Sequence, residues 1–556
     1  RCPVTEMEKL ADLILPDVDK TPDEYEAMYP PRSLPEGARV TRIAPSPTGY
    51  LHIGTLFVAL VNRLVATSTG GVFFSRIEDT DKKREVAGGI ADIIGGLRGF
   101  GVSIDEGFVS AEEEVGGYGP YQQSKRAAIY RCYVKELVRQ GLAYPCFCTA
   151  EELAAVREAQ EKAKIRTGYH GEYAHCRSLS FAEVEEKVKA GLPFVVRLRS
   201  PGQETNKVIF DDGIKGRIEM PENDEDFVLL KSDGIPTYHF AHAVDDHLMR
   251  TTHVIRGDEW ISSTPKHLQL FRLLGWKPPK YVHVAPIMKE ENGAKRKISK
   301  RKDPEAAVRF FLEQGFPAVS VMEYLMTIAA SDFEDWRRRN PDEPYEAFKF
   351  NLKKMSVSGA LYDWNKLVDV SKGVIARLSA GEVCGALLDW AKEYNKPYYD
   401  LLSKDEKYTE RIFSIDRGGA KPRKDLAKWD EAPDYTAYFF KETFTPCFDL
   451  PENIAPADAA AVLEAYAPTY DPALDRTAWF DGVKAICPAV GFADDTKAYK
   501  QNPAAYKGSP GDASTVIRIA VTGRRNTPDL CSIMALLGRE ESVRRMQAAA
   551  DVWKKE

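Results

Sequence analysis

Two short motifs carry the residues best equipped for phosphate chemistry. His52-Ile53-Gly54-Thr55 lies near the amino-terminal side of the chain, and Lys297-Ile298-Ser299-Lys300-Arg301 follows some 245 residues later, within a basic run from Lys295 to Lys302. His52 can donate hydrogen bonds to phosphate oxygens as charge develops there, Gly54 lets a base or a phosphate approach the backbone, and Lys297 and Lys300 can neutralise a triphosphate. Upstream, Val40 and Ile43 alternate with polar neighbours as in a strand, Pro45 and Pro47 hold the chain extended, and Gly49 permits a turn. Leu56, Leu60 and Leu64 then recur at helical spacing, so a helix begins beside His52, and its unpaired N–H groups suit an anion. Taken singly, the first motif reads equally well as a βα turn with a surface histidine, and the second as a solvated lysine loop.

The elements that must position these residues follow from the surrounding pattern. Residues 39 to 77 read as strand, helix and strand (39 to 44, 54 to 67, and 72 to 77 after Gly70-Gly71), a unit that implies a parallel pair. No Gly-x-Gly-x-x-Gly fingerprint or Walker lysine loop follows the first strand, which disfavours dinucleotide and P-loop chemistry. Between 126 and 235 lies an inserted α/β region, in which Thr149 with Glu152 and Ser180 with Glu183 form capping boxes opening helices at 150 to 165 and 181 to 190, followed by a strand at 194 to 198. The nucleotide-type fold resumes near Pro236, with strands at 253 to 256 and 281 to 285. Both motifs can then converge at the carboxyl ends of one sheet. From about 350 amphipathic helical patterns dominate, ending in units at 515 to 521, 528 to 537 and 540 to 553. Ahead of everything is an acidic, proline-punctuated lead-in, residues 1 to 38, with at most one short helix near 7 to 15 and no readable function.

Composition sets the outer bounds. A chain of 556 residues is too long for one core, and 44% hydrophobic with 29% charged residues is ordinary for a soluble protein. No run of 18 apolar residues and no basic-then-apolar leader occurs, so the cytoplasm is the expected location. The net charge of −6 is no obstacle to an RNA partner, because the lead-in is acidic enough to leave the remainder near neutral, and local basic patches suffice. Nine cysteines, an odd number in a long chain, indicate reduced thiols or metal ligation. Cys146, Cys148 and Cys176 offer three thiolates for a tetrahedral zinc, whose fourth ligand is open with Tyr169, His170 and His175 nearby. Buried reduced cysteines are the alternative.

The two motifs resemble the His-Ile-Gly-His and Lys-Met-Ser-Lys-Ser signatures of class I aminoacyl-tRNA synthetases. Further segments narrow the likeness to the bacterial glutamyl-tRNA synthetase family: Arg42 to Gly49, Arg76-Ile77-Glu78-Asp79-Thr80-Asp81, Gly119 to Ser124, Pro236-Thr237-Tyr238-His239, Val244-Asp245-Asp246-His247 and Val254 to Trp260. The likeness spans most of residues 39 to 370 and resumes around 520 to 538. It implies a multidomain α/β plus all-α protein: a Rossmann-like parallel-sheet catalytic domain (39–125 and 236–278) split by an acceptor-end-binding insert (126–235), a stem-contact domain carrying the lysine motif (279–375), and helical anticodon-binding domains (376–556). Implied substrates are L-glutamate, tRNA and ATP with Mg2+, handled by a monomer.

By motif match His52, Lys297 and Lys300 are the catalytic residues. ATP falls to His52, Gly54, Thr55, Glu259, Trp260 and Lys300, and glutamate to Arg42, Ala44, Ser46, Glu78, Tyr238 and Arg256. Arg42 is the first choice for the side-chain carboxylate and Glu78 for the ammonium. Thr55 stands where the family's signature has its last histidine, so a two-histidine clamp is not implied. Some members carry zinc at the three cysteines, with Tyr169 as the candidate fourth ligand. Alternatives are charging of glutamine tRNA, the shortened paralogue that modifies a tRNA base, and a tRNA-independent adenylyltransferase. Arg76-Glu78 could instead be a surface pair, and Asp245-Asp246-His247 a metal cluster, a helix cap or a ribose contact.

Overall fold

In the computed structural model, which describes residues 5–556, the strand Val40–Ile43 pairs in parallel with Val72–Ser75, Val40 lying opposite Val72. The helix Ile53–Thr67 connects them. All four residues of the first strand are buried, as expected of a parallel strand covered on both faces. A second parallel pair, His253–Gly257 with Lys280–Val284, stands beside the first: the Thr252 N–H donates to Val40 O at 3.0 Å, and the Val40 N–H donates to the Thr252 hydroxyl at 2.8 Å. The predicted second strand stops at Ser75, because Ile77 turns to bridge Gln122. That turn leaves Arg76 and Glu78 at the carboxyl end of the sheet.

The insert builds its own antiparallel sheet from Ala143–Cys146, Val195–Leu198 and Val228–Leu230. Its helices Ala150–Lys162 and Phe181–Lys189 are each opened by the capping box that the sequence predicts. A hairpin, Met288–Glu291 with Ala294–Lys297, carries the lysine motif.

The lead-in corrects an expectation. It holds two helices, Glu6–Ile14 and Pro22–Met28, the second opened by a Thr21/Glu24 capping box with proline in its first turn. Seven residues are too few to display an apolar face, so periodicity misses the second helix. Leu10, Ile14 and Tyr25 join a core shared with the insert and the helix Ala127–Arg139. Arg32 pairs with Glu106 through its two terminal guanidinium nitrogens at 2.6 and 3.0 Å, and Glu26 accepts from His247 and Arg250. The first four residues of the lead-in lie outside the described residues.

Two compact units result. One runs to Phe310 and includes Met322–Asp363; the other joins Phe311–Val321 to Trp364–Glu556. The second unit is helical, with a core that includes Leu387, Trp429, Ile517 and Trp553. Its last helix, Leu530–Trp553, is broken at Gly538 (φ 81°), between the two helices expected there. No helix of the described residues is long and apolar enough to cross a membrane.

Candidate active site

His52 is the cap residue of the helix Ile53–Thr67, and its Nδ1 accepts the Gly54 N–H at 2.9 Å. A neutral imidazole with Nδ1 as acceptor carries its proton on Nε2, which leaves one donor for a ligand. Burial, together with Lys300 and Lys297, lowers the His52 pKa to about 4, so the ring is neutral at pH 7. Lys300 Nζ donates to the Tyr50 carbonyl at 3.0 Å, spanning 250 positions of sequence. Gly49 (φ 147°), beside Lys300 Nζ, takes a backbone conformation that a side chain would strain. Lys297 Nζ comes within 3.7 Å of Glu259 Oε2. Asp303 braces the loop by accepting from Arg296 at 2.7 and 2.8 Å and from the Ser299 N–H at 2.9 Å. The Arg296 hydrogen bonds hold the Asp303 carboxyl well below the usual range.

A cavity of about 530 Å³ lies between the two motifs at the carboxyl ends of the strands. It is lined by His52, Gly54, Thr55, Glu259, Trp260 and Lys297 on one side and by Arg42, Ala44, Ser46, Glu78, Tyr238 and Arg256 on the other. Of the residues expected to serve ATP and glutamate, Lys300 alone stands off the wall, at the Tyr50 carbonyl.

The inner end is a buried charge network. Arg42 donates from Nε and Nη2 to the two oxygens of Asp246 at 2.9 and 3.2 Å. Arg76 reaches the same carboxylate at 3.0 Å from Nη1, and Glu78 at 3.0 Å from Nη2. Burial would raise the Asp246 pKa, but Arg42 and Arg76 hold it well below the usual range. Burial raises the Glu78 pKa, opposed by Arg76 and Arg42. Arg42 therefore does not offer a whole fork to a ligand; Nη1 is the nitrogen left without a protein partner among the described residues.

Asp245-Asp246-His247 is neither a metal cluster nor a cap. All three lie inside the helix Tyr238–Leu248 and take different hydrogen-bond partners. Asp245 accepts from Arg126, Gln123 and Tyr130, Asp246 faces Arg42 and Arg76, and His247 stacks on Trp276 with ring centroids 3.9 Å apart. Arg76-Glu78 is likewise buried and not a surface pair. Asp246 and Arg76 are thus direct partners of Arg42 and Glu78 that motif matching passed over as site residues. Their signal was a pair of acids flanked by Val244 and Leu248, apolar residues of the same helix.

Arg256 also departs from expectation. Its Nε donates to His283 Nε2 and its Nη1 to His267 Nδ1, both at 3.0 Å, while Nη2 donates to Thr264 Oγ1 at 3.1 Å. With every nitrogen engaged, it lends the cavity charge and stiffness more than a free fork. Tyr238 packs on Trp260, ring centroids 4.2 Å apart, beside the buried imidazoles of His242 and His267. Burial lowers the His242 pKa to about 3 and that of His239 to about 4.

In the insert, the sulfurs of Cys146, Cys148 and Cys176 lie within 4.8 Å of one another. The Tyr169 hydroxyl is 3.4 Å from Cys146 Sγ and 3.3 Å from Cys148 Sγ. His170 instead turns its Nε2 to the Arg166 carbonyl at 2.9 Å. Cys148 and Cys176 are 3.7 Å apart, close to the roughly 3.8 Å that two sulfurs at about 2.3 Å from a tetrahedral zinc would show. Three thiols and one phenol thus form a set that fits the ion.

Residues 39–364 match the family model of class I tRNA synthetases (E and Q), catalytic domain, and residues 497–550 match an anticodon binding domain. A glutamate–tRNA ligase of Clostridium perfringens (strain 13 / Type A) is 50% identical over 541 residues, covering 97% of this chain and 99% of its own. One from Sorangium cellulosum (strain So ce56) is 47% identical over 547 residues, 93% of this chain and 96% of its own. Among solved structures, a glutamate tRNA ligase from Elizabethkingia meningosepticum in complex with its amino acid is 26% identical with a TM-score of 0.72, covering 92% of this chain and 99% of that one.

Proposed function

The chain belongs to the glutamate–tRNA ligases of the class I tRNA synthetase family, and from that membership we propose how its cavity divides the work. The reaction joins L-glutamate to tRNA at the expense of ATP, releasing AMP and pyrophosphate. An oxygen of the glutamate α-carboxylate attacks the α-phosphorus; that O–P bond forms as the bond to the β-phosphate bridging oxygen breaks, and pyrophosphate leaves with the electron pair. A terminal ribose hydroxyl of tRNA then attacks the activated carbonyl and displaces AMP. ATP enters as its Mg2+ complex.

Convergence of the two motifs on one cavity with a charged inner end is the observation that carries this division. Arg42 Nη1 receives the side-chain carboxylate of glutamate, Glu78 the ammonium, and Ala44, Ser46 and Tyr238 complete the pocket. Arg256 keeps the adjoining wall positive. His52 donates from Nε2 to phosphate, Gly54 and Thr55 let ATP settle on the helix start, and Glu259 and Trp260 flank the adenosine. Lys297 and Lys300 stabilise charge as it moves onto the leaving pyrophosphate. Aminoacylation of purified tRNA with radiolabelled glutamate tests the assignment; absence of charging, with the protein folded, refutes it. Running glutamate and glutamine tRNAs side by side decides whether one or both are substrates.

The insert (126–235) receives the acceptor end, residues 279–375 the stem, and 376–556 the anticodon. A family match at 497–550 supports the last. It also removes the main ground for the shortened paralogue, which lacks such a domain. Cys146, Cys148, Cys176 and Tyr169 would hold one zinc, which would cross-link the start of the insert to its later loop. Elemental analysis should give one zinc per chain, lost in Cys146→Ser/Cys148→Ser; metal-free protein of unchanged stability and activity would count against it. The working form is taken to be a single chain in the cytoplasm, and light scattering checks the former.

A further inference from the structure

At the amino ends of the same strands, away from the active cavity, lies a larger one of about 1190 Å³. Strand register fixes its chemistry. Arg39 precedes the first strand, and His253 and Lys280 open the next two, directly opposite each other. The Thr252 N–H bond to Val40 O brings Arg39 alongside. Three neighbouring strands therefore begin with an arginine, a histidine and a lysine, all lining one concavity, and Lys349 and Lys353 line it as well.

Little on the protein offsets this charge. Arg39, Lys280, Lys349 and Lys353 have no acidic partner among the described residues, whereas Arg63, also on the wall, is paired with Asp105 at 2.8 Å. Of the two carboxylates lining the cavity, Asp212 is engaged by His283 and the amides of Ile214 and Lys215, and Glu346 is exposed and pairs with none of these cations. The bland explanation is that these cations answer the negative end of the helix Ile53–Thr67. Its last carbonyls are already taken: Leu64 O by the Ser68 N–H, Val65 O by the hydroxyls of Ser68 and Thr69, and Ala66 O by the Gly71 N–H. Burial, together with Arg39 and Lys280, lowers the His253 pKa to about 4, and its Nδ1 lies 2.8 Å from the Thr252 hydroxyl. Arginine and lysine at a concave site suit phosphate, and the volume admits a nucleotide-sized molecule, for which about 300–1,000 Å³ is usual.

We infer that this cavity binds a phosphate-bearing anion, its phosphate seated between Arg39, His253 and Lys280. The phosphate could come from a free polyphosphate or nucleotide, or from an RNA backbone. The imidazole signal of His253, assigned through His253→Gln in the full chain labelled at histidine, separates this site from the active cavity. Inorganic pyrophosphate should shift that signal saturably and raise its protonation midpoint, and Lys280→Ala should weaken the response about tenfold. A shift with tRNA but not with pyrophosphate assigns the site to RNA phosphate. Arg39→Ala/Lys280→Ala, with retained aminoacylation as the folding control, should abolish either response. If that pair does not fold, the exposed Lys280→Ala stands in for it. A His253 signal that neither probe moves, or one that moves equally in the variants, overturns the inference.

Discussion

Both ends of the cavity carry cations, yet they hold them in opposite ways. Arg42 and Arg76 at the inner end are 3% and 0% exposed and share the carboxylate of Asp246, whereas Lys297 and Lys300 at the mouth are exposed, Lys300 resting on a single carbonyl. A buried, shared ion pair is set when the chain folds, so the orientation of Arg42 costs nothing further when a ligand arrives. Exposed lysines can follow phosphate as charge moves during the reaction. The inner end should therefore govern selectivity and stability, and the mouth rate.

The sharpest test of that contrast is Arg42→Gln. A guanidinium offers donors only, so it matches the carboxylate of glutamate and clashes with the amide N–H groups of glutamine. Relieving that mismatch should shrink the glutamate-to-glutamine ratio of kcat/KM by as much as about 10⁴-fold; an unchanged ratio would remove Arg42 from the role. Asp246→Asn comes next. Stripping the shared carboxylate from two buried guanidinium groups should cost roughly 3–5 kcal/mol, read in the denaturant transition of the catalytic unit. A change well below 1 kcal/mol would mean that the network is not what holds Arg42.

At the mouth, Lys300→Ala should slow adenylate formation about a hundredfold in single-turnover assays while tRNA affinity stays as it was. Equal losses in both would erase the distinction between the two ends. The smallest effect concerns pH. His52 and His239 stay neutral in the folded chain down to about pH 4, and His242 to about 3, whereas unfolded histidines take up protons below about 6.5. Protons in that window favour the unfolded state, so stability should rise with pH between 4 and 6.5 and level off above. Denaturation midpoints at a series of pH values check the sign; a midpoint that climbs as pH falls through this range would contradict it.

Features whose physics is local could be read from the residues alone. The capping boxes at Thr149 and Ser180 act over three residues, and helix starts and apolar periodicity over one or two turns, so the helices of the insert and the helix after His52 were legible. Motif likeness added the residues lining the active cavity. Tertiary structure alone decided which distant groups meet: Arg42 with Asp246 across 204 positions, Lys300 with Tyr50 across 250, and Tyr169 with the cysteines. It also decided that Arg256 is fully engaged and that Asp245 and Asp246 take different hydrogen-bond partners on either side of Arg76. The physical reason is that a buried charge takes whichever partner the folded chain brings within hydrogen-bond reach, and nothing in the spacing of an Asp-Asp pair encodes where that partner lies.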